Sequence, residues 1–213
     1  MSFVDWVLGI PAYLGRKPVI DTREKLVEFL DSRSAFLIQK NIFDYARARA
    51  GPYFSQIIKE QAFKDSVEVS RWSGYPTGLA ALAEIVRGVL FDAAERKPLN
   101  DAISSAALAA FDKYPVPAVL GEETWKKARE TLIERLALID SHPPKFAKDV
   151  ILPYAQVLYD SQPIHEELRK RDFEMIQAQL RINLVTMHVE FEKRMNKAAL
   201  LSDLGVHLRA GAA

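Results

Sequence analysis

The sequence contains no cysteine in its 213 residues, which excludes disulfide staples and thiolate-bound zinc and fits a reducing, cytoplasmic setting. An excess of either charge is missing too. Lys and Arg number 29 against 28 Asp and Glu, a formal net charge of +1, so no long-range field gathers a polyanion and nucleic acid is not an expected partner. The basic runs Arg169-Lys170-Arg171 and Lys126-Lys127 with Arg129 are interleaved with Glu166, Glu167, Asp172, Glu123 and Glu130, and they read as solvated helix faces. No run approaches the ~18 uninterrupted apolar residues of a spanning helix. The opening "MSFVDWVLGIPAYLGRKP" lacks a basic n-region and is interrupted at Asp5 and Pro11, so it is not read as a signal peptide. Its Phe3, Trp6, Val7 and Ile10 lack the Lys/Arg-rich polar face of a membrane-surface helix, and they are expected to pack over the chain's own core.

Alternation of period two bounded by turn residues is also absent, which removes the usual strand signal. What remains is helical periodicity. With 49% hydrophobic and 27% charged residues, the composition is that of an ordinary globular chain. A chain this long buries roughly 70% of its unfolded surface and needs no structural metal. The expected fold class is all-α: a single-domain multi-helix bundle over residues 1–213, with a long, straight C-terminal helix and one minor boundary near 113–122, at "KYPVPAVLGEE".

The first long helix is placed from "DTREKLVEF", with Asp21 as cap and Glu24 as the return contact, to Gly51-Pro52. The polar "DSRS" at 31–34 is expected to kink or divide it. A second helix is placed from Pro52 to Arg71. The stretch "RWSGYPTGLAALAEIVRG", residues 71–88, then reads as a helix-to-helix corner, with Gly74 ending one helix and Pro76 starting the next. Beyond it, Leu79, Leu82, Val86 and Leu90 form one stripe. Gly78, Ala81, Ile85 and Gly88 form another, of mostly small side chains, which permits close approach of a neighbouring backbone. Further helices are expected over about 99–113, 122–140 and 145–160. The longest is expected from Pro163 to Lys197, where Phe173, Ile176, Leu180, Leu184, Met187, Phe191 and Met195 recur with an eleven-residue period that suits a nearly straight helix. Ile182, Val185 and Val189 are expected to widen its core face.

Few residues suggest chemistry. "GYPTG" lacks the Lys and the spacing of a phosphate-binding P-loop, and the nucleophile elbow G-x-S-x-G does not occur. His142, His165, His188 and His207 are the available bases, and nothing in the sequence pairs them with Ser34, Ser66 or Ser73. His188 and Glu192 lie one helical turn apart, but no Glu-x-x-His of the di-iron bundles occurs, so no metal and no cofactor are expected. Arg71, Trp72 and Tyr75 beside the expected corner, and Leu184, Met187 and Phe191 on the last long helix, are the candidate ligand or interface residues.

The segment "RKPVIDTREKLVEFLDSRSAFLIQKNIFDYARARAG", in the first quarter of the chain, resembles the opening of a family of uncharacterised bacterial proteins that often carry an automatic esterase label. The resemblance implies a soluble bacterial helical protein. Three functions follow as expectations. The first is a non-enzymatic protein-interaction or scaffold module that contacts a protein partner or another copy of itself. The second is a helical cavity for an apolar small molecule or lipid. The third is a hydrolase matching the label.

Overall fold

The computed structural model describes residues 18–209; the expectations for Phe3, Trp6, Val7 and Ile10 lie outside them. Among the described residues the structure is helical, with two isolated bridges, Ile20 with Met195 and Ala94 with Leu208, and no sheet. The all-α class is therefore observed. Buried side chains from Ile20 to Val206 form one continuous hydrophobic cluster.

Helix α1 runs Arg23–Ala50, capped by the Thr22 side chain, which accepts from the Lys25 amide at 3.3 Å. Asp21 instead pairs with Lys25 at 2.5 Å. The "DSRS" segment does not divide the helix in two. Asp31 accepts from Tyr75 and Tyr114 and so is satisfied by tertiary partners, while Ser34 is packed against Gly78 of a neighbouring helix with its hydroxyl buried and without a hydrogen-bond partner. Gly51, with φ of 51°, ends α1 as expected.

The expected helix from Pro52 to Arg71 is not found. A 3₁₀ turn, Gly51–Tyr53, leads into the short α2, Phe54–Ile57, and the chain breaks before α3, Gln61–Leu90. Helix α3 is the longest, 30 residues, and it passes straight through the expected corner with Pro76 inside it. A proline there has no N–H to donate to the previous turn and costs about 3 kcal/mol in an isolated helix. Packing overrides that cost. Every residue from Gly74 to Arg87 is buried, because α3 is surrounded by α1, α4 (Arg96–Phe111), α5 (Glu122–Ile139), α6 (Ala155–Asp160) and α8 (Phe173–Arg194). The glycines serve contact, not chain reversal. A Cβ on Gly74 would meet Ile38 Cγ2 at 3.0 Å, and one on Gly78 would meet the Ser34 carbonyl oxygen at 3.3 Å. The close approach expected of the small-residue stripe is observed at Gly78.

Two further expectations are corrected. The segment 145–160 is mostly irregular, and only Ala155–Asp160 is helical. The segment 163–197 is not one continuous spine. It contains the short α7, Glu166–Arg169, and the 22-residue α8, Phe173–Arg194. The break has tertiary causes. Arg49 donates to the Leu168 carbonyl, Tyr159 donates to the Arg169 carbonyl at 2.6 Å, and the Asp172 carboxylate accepts from Tyr45 at 2.8 Å. Carbonyls needed to propagate a helix are thereby engaged from outside. At the other end Met195 is extended and pairs with Ile20, before α9, Lys197–Asp203, begins at its Asn196 cap.

Candidate functional site

Of the six candidate residues, three come together. Arg71, Trp72 and Tyr75 lie on α3 where it meets α1, α4 and α5. Trp72 makes edge contacts with Tyr75, Tyr114 and Trp125 at ring separations of 6.1, 5.1 and 5.8 Å, and Trp125 stacks on Phe111 at 4.2 Å. Beneath them Asp31 accepts from Tyr75 at 2.8 Å and Tyr114 at 2.9 Å and pairs with Lys113 at 3.1 Å. Burial against this carboxylate pushes the Tyr114 phenol up to about 12, and Tyr75 higher still, for the same two reasons: desolvation first, then the neighbouring negative charge. The Arg71 guanidinium covers the Trp72 ring at 4.7 Å. The cavity among Ala35, Ile38, Arg71, Trp72, Tyr75 and Tyr114 is about 10 Å³, room for about one water molecule. These aromatic faces are spent on one another. The cluster is a joint between helices.

A second polar cluster lies further along α3, and of its members the sequence singles out only His142, as an unpaired base. Glu84 and Arg87 are 2% and 1% exposed. The Glu84 carboxylate has Lys145 Nζ at 2.9 Å and His142 Nε2 at 3.7 Å from Oε1, and it accepts a long bond of 3.4 Å from the Tyr154 hydroxyl. Arg87 donates to the Asn100 side chain at 3.0 Å and to the His142 carbonyl at 2.8 Å, while its second terminal nitrogen is buried without a hydrogen-bond partner. Desolvation lowers the Arg87 pKa, with the nearby Arg96 adding to it. Arg135 donates to Thr77 at 2.5 Å and lies over the Tyr154 ring. Sequence periodicity places position 84 inside α3 but does not show that segment 142–154 folds back over it. That information is long-range.

The remaining three candidates, Leu184, Met187 and Phe191, are buried on the inner face of α8 with Ile176 and Leu180. The exposed face is the opposite one. Ile182 is 67% exposed, Met175 43%, Val185 39% and Val189 38%, so the line expected to widen the core face points outward. One flank of this stripe is tied to segment 142–154. Arg181 donates to the Lys148 carbonyl at 3.0 Å and pairs with Asp149 at 3.2 Å. Phe146, 77% exposed, sits in that same turn.

Four of the catalytic candidates have structural roles. Ser66 donates to the Ala62 carbonyl one turn back, His165 caps α7, His188 faces Glu192 at 3.4 Å, and Ser34 lies beneath Gly78. Among the described residues no cluster of three or more potential ligands is placed to hold a metal ion, and no helix is long and apolar enough to cross a membrane. Comparison with family models, curated proteins and solved structures gives no match.

Proposed function

We propose that the protein is a non-enzymatic helical interaction module that self-associates through the outer face of α8. One observation carries this reading: α8 is apolar on two opposite faces, and the described chain covers the inner one while leaving the outer one open. A surface helix ordinarily has one apolar stripe and a polar back. Met175, Ala178, Ile182, Val185 and Val189 follow the alternating three-and-four spacing of a helix–helix seam, and all five are exposed. Ala178 is its one small member. Phe146 is exposed in the segment that Arg181 fastens to the seam's flank through Lys148 and Asp149. Such a face fits another helix, and the same face of a second copy provides one through a two-fold contact.

The expected strength is modest. Half-exposed large apolar side chains gain about 1 kcal/mol each on full burial, and a pair of seams offers roughly eight, against an association cost of about 4 to 15 kcal/mol. Sedimentation velocity over about a hundredfold concentration range tests the reading, since an affinity of this size shows as a mass that climbs with concentration. The weight-average mass of the wild type should rise toward that of a dimer, and Val185→Asp should stay monomeric throughout. A wild type that remains monomeric, or a Val185→Asp variant that associates equally well, overturns the reading.

A further inference from the structure

We propose that the buried carboxylate of Glu84 is the anchor that positions the strap of residues 140–154, and with it the exposed Phe146, where Arg181 fastens the strap to the flank of α8. The inference rests on the self-association reading for its functional consequence; the anchoring is tested independently of it.

The strap has little regular structure before α6, and Pro143, Pro144 and Pro153 remove three of its backbone donors. Its position is set by side chains from two directions. On the inner side Glu84 draws in Lys145, Arg87 donates to the His142 carbonyl, and Asn100 donates to Asp140 at 2.5 Å. Pro144 rests over α3 at Gly88, where an added Cβ would meet it at 3.9 Å. On the outer side Arg181 of α8 fastens Lys148 and Asp149. Val150 and Ile151 then plug the core. Phe146 falls between the inner and outer fastenings, and it is the most exposed large apolar side chain described.

A carboxylate held in the interior is costly unless it is compensated. Its compensation here is asymmetric in mobility. Lys145 and His142 both belong to the strap and both reach solvent, with side chains 32% and 29% exposed. When the Glu84 charge is removed, Lys145 gains more by returning to water than by staying. Arg87 and Asn100 hold only the strap's first residues, so Lys145 and Phe146 are the ones released. The charge on α3 therefore sets the conformation of a turn whose other end abuts the association face.

Glu84→Gln in the full chain tests this, because Gln keeps the shape and the acceptor for Tyr154 but discards the charge. Hydrogen exchange is read at the bonded amide of Asp149, which donates to the Phe146 carbonyl, and, for comparison, along α3. The expected result is exchange at least tenfold faster in the strap, little change in α3, and a several-fold weaker self-association that Phe146→Ala reproduces without loosening the strap. Lys145→Met, which removes the cation paired with Glu84, should loosen the same amide. Unchanged strap exchange overturns the proposal. So does acceleration spread equally over α3, which would make Glu84 a general core group. A loosened strap with unaltered association shows that the anchor does not govern the face, and this also overturns it. Absence of association in the wild type, with the strap loosened as expected, overturns the self-association reading and leaves the anchor standing.

Discussion

Helices α3 and α8 lack a single apolar stripe for opposite reasons. In α3 the stretch Gly74–Arg87 is buried on every side, so its apolar residues have neighbours all round. In α8 the apolar residues fall on two faces, with Leu180, Leu184 and Met187 inward and Ile182, Val185 and Val189 outward. A helix apolar all round belongs in a core. One apolar on two opposed faces is half a core and half an interface. Periodicity cannot separate the two cases, because it reports the residues on a helix and not the number of neighbours around it.

The sharpest test of this contrast lies within α8. Leu184 is fully buried, so Leu184→Ala should cost about 2 to 5 kcal/mol in chemical denaturation, the transfer term plus the residual cavity. A loss below about 1 kcal/mol would place Leu184 outside the packed core and dissolve the distinction between the inner and outer faces.

The next test addresses why α3 tolerates a proline and its glycines. Gly78→Val places a branched side chain where a Cβ already meets the Ser34 backbone oxygen at 3.3 Å and Ser34 Cβ at 3.2 Å. Backbone of a neighbouring helix yields poorly. The variant should lose about 1 to 3 kcal/mol, whereas relief of the helix-propensity penalty of glycine alone would stabilise it by a few tenths. A gain in thermal stability would show that α1 and α3 have room between them.

Elements are legible in the sequence where local signals decide. The stop at Gly51-Pro52, the helices near 99–113 and 122–140, and the all-α class follow from capping residues and spacing. Gly74 and Pro76 mislead as a corner because glycine and proline are locally breakers, while here one admits Ile38 and the other is overridden by five neighbouring helices. A spine from Pro163 to Lys197 fails because Arg49, Tyr45 and Tyr159, distant in sequence or on another helix, engage its backbone and Asp172. Of the candidate site, the residues beside Trp72 are legible in part, but the joining of Asp31 and Tyr114 to them is not. Glu84 carries no signal, since a single acidic residue in a helix gives no hint that a strap distant in sequence will cover it.

The pH dependence of α3's surroundings gives a smaller effect. Burial first and the Glu84 charge second push the Tyr154 phenol from 10.0 up to about 12. The folded state thus holds this proton more tightly than the unfolded chain does. Its contribution to stability is complete below pH 10 and is lost as pH rises toward about 12. Denaturation at about pH 9 and about pH 11 should show this decline in the wild type and a shallower one in Tyr154→Phe, with tyrosinate absorbance appearing late. Equal slopes for the two proteins would place Tyr154 in contact with solvent.

The smallest expected effect is the most discriminating. Ile182 is 67% exposed, and glutamine is a slightly better helix former than isoleucine. Measured at a concentration where the protein is monomeric, Ile182→Gln should therefore change stability by less than about 0.5 kcal/mol. Two residues away Leu184→Ala is expected to cost several times more, so the pair maps the two faces of α8 with one method. The same Ile182→Gln variant should weaken self-association, because a polar group in a helix–helix seam must be desolvated on contact. A stability loss above about 1 kcal/mol in the monomer would mean that the outer face is buried by the protein's own chain. Unaltered stability together with unaltered association would leave the stripe a solvated surface, and the two-faced character of α8 would then have no functional content.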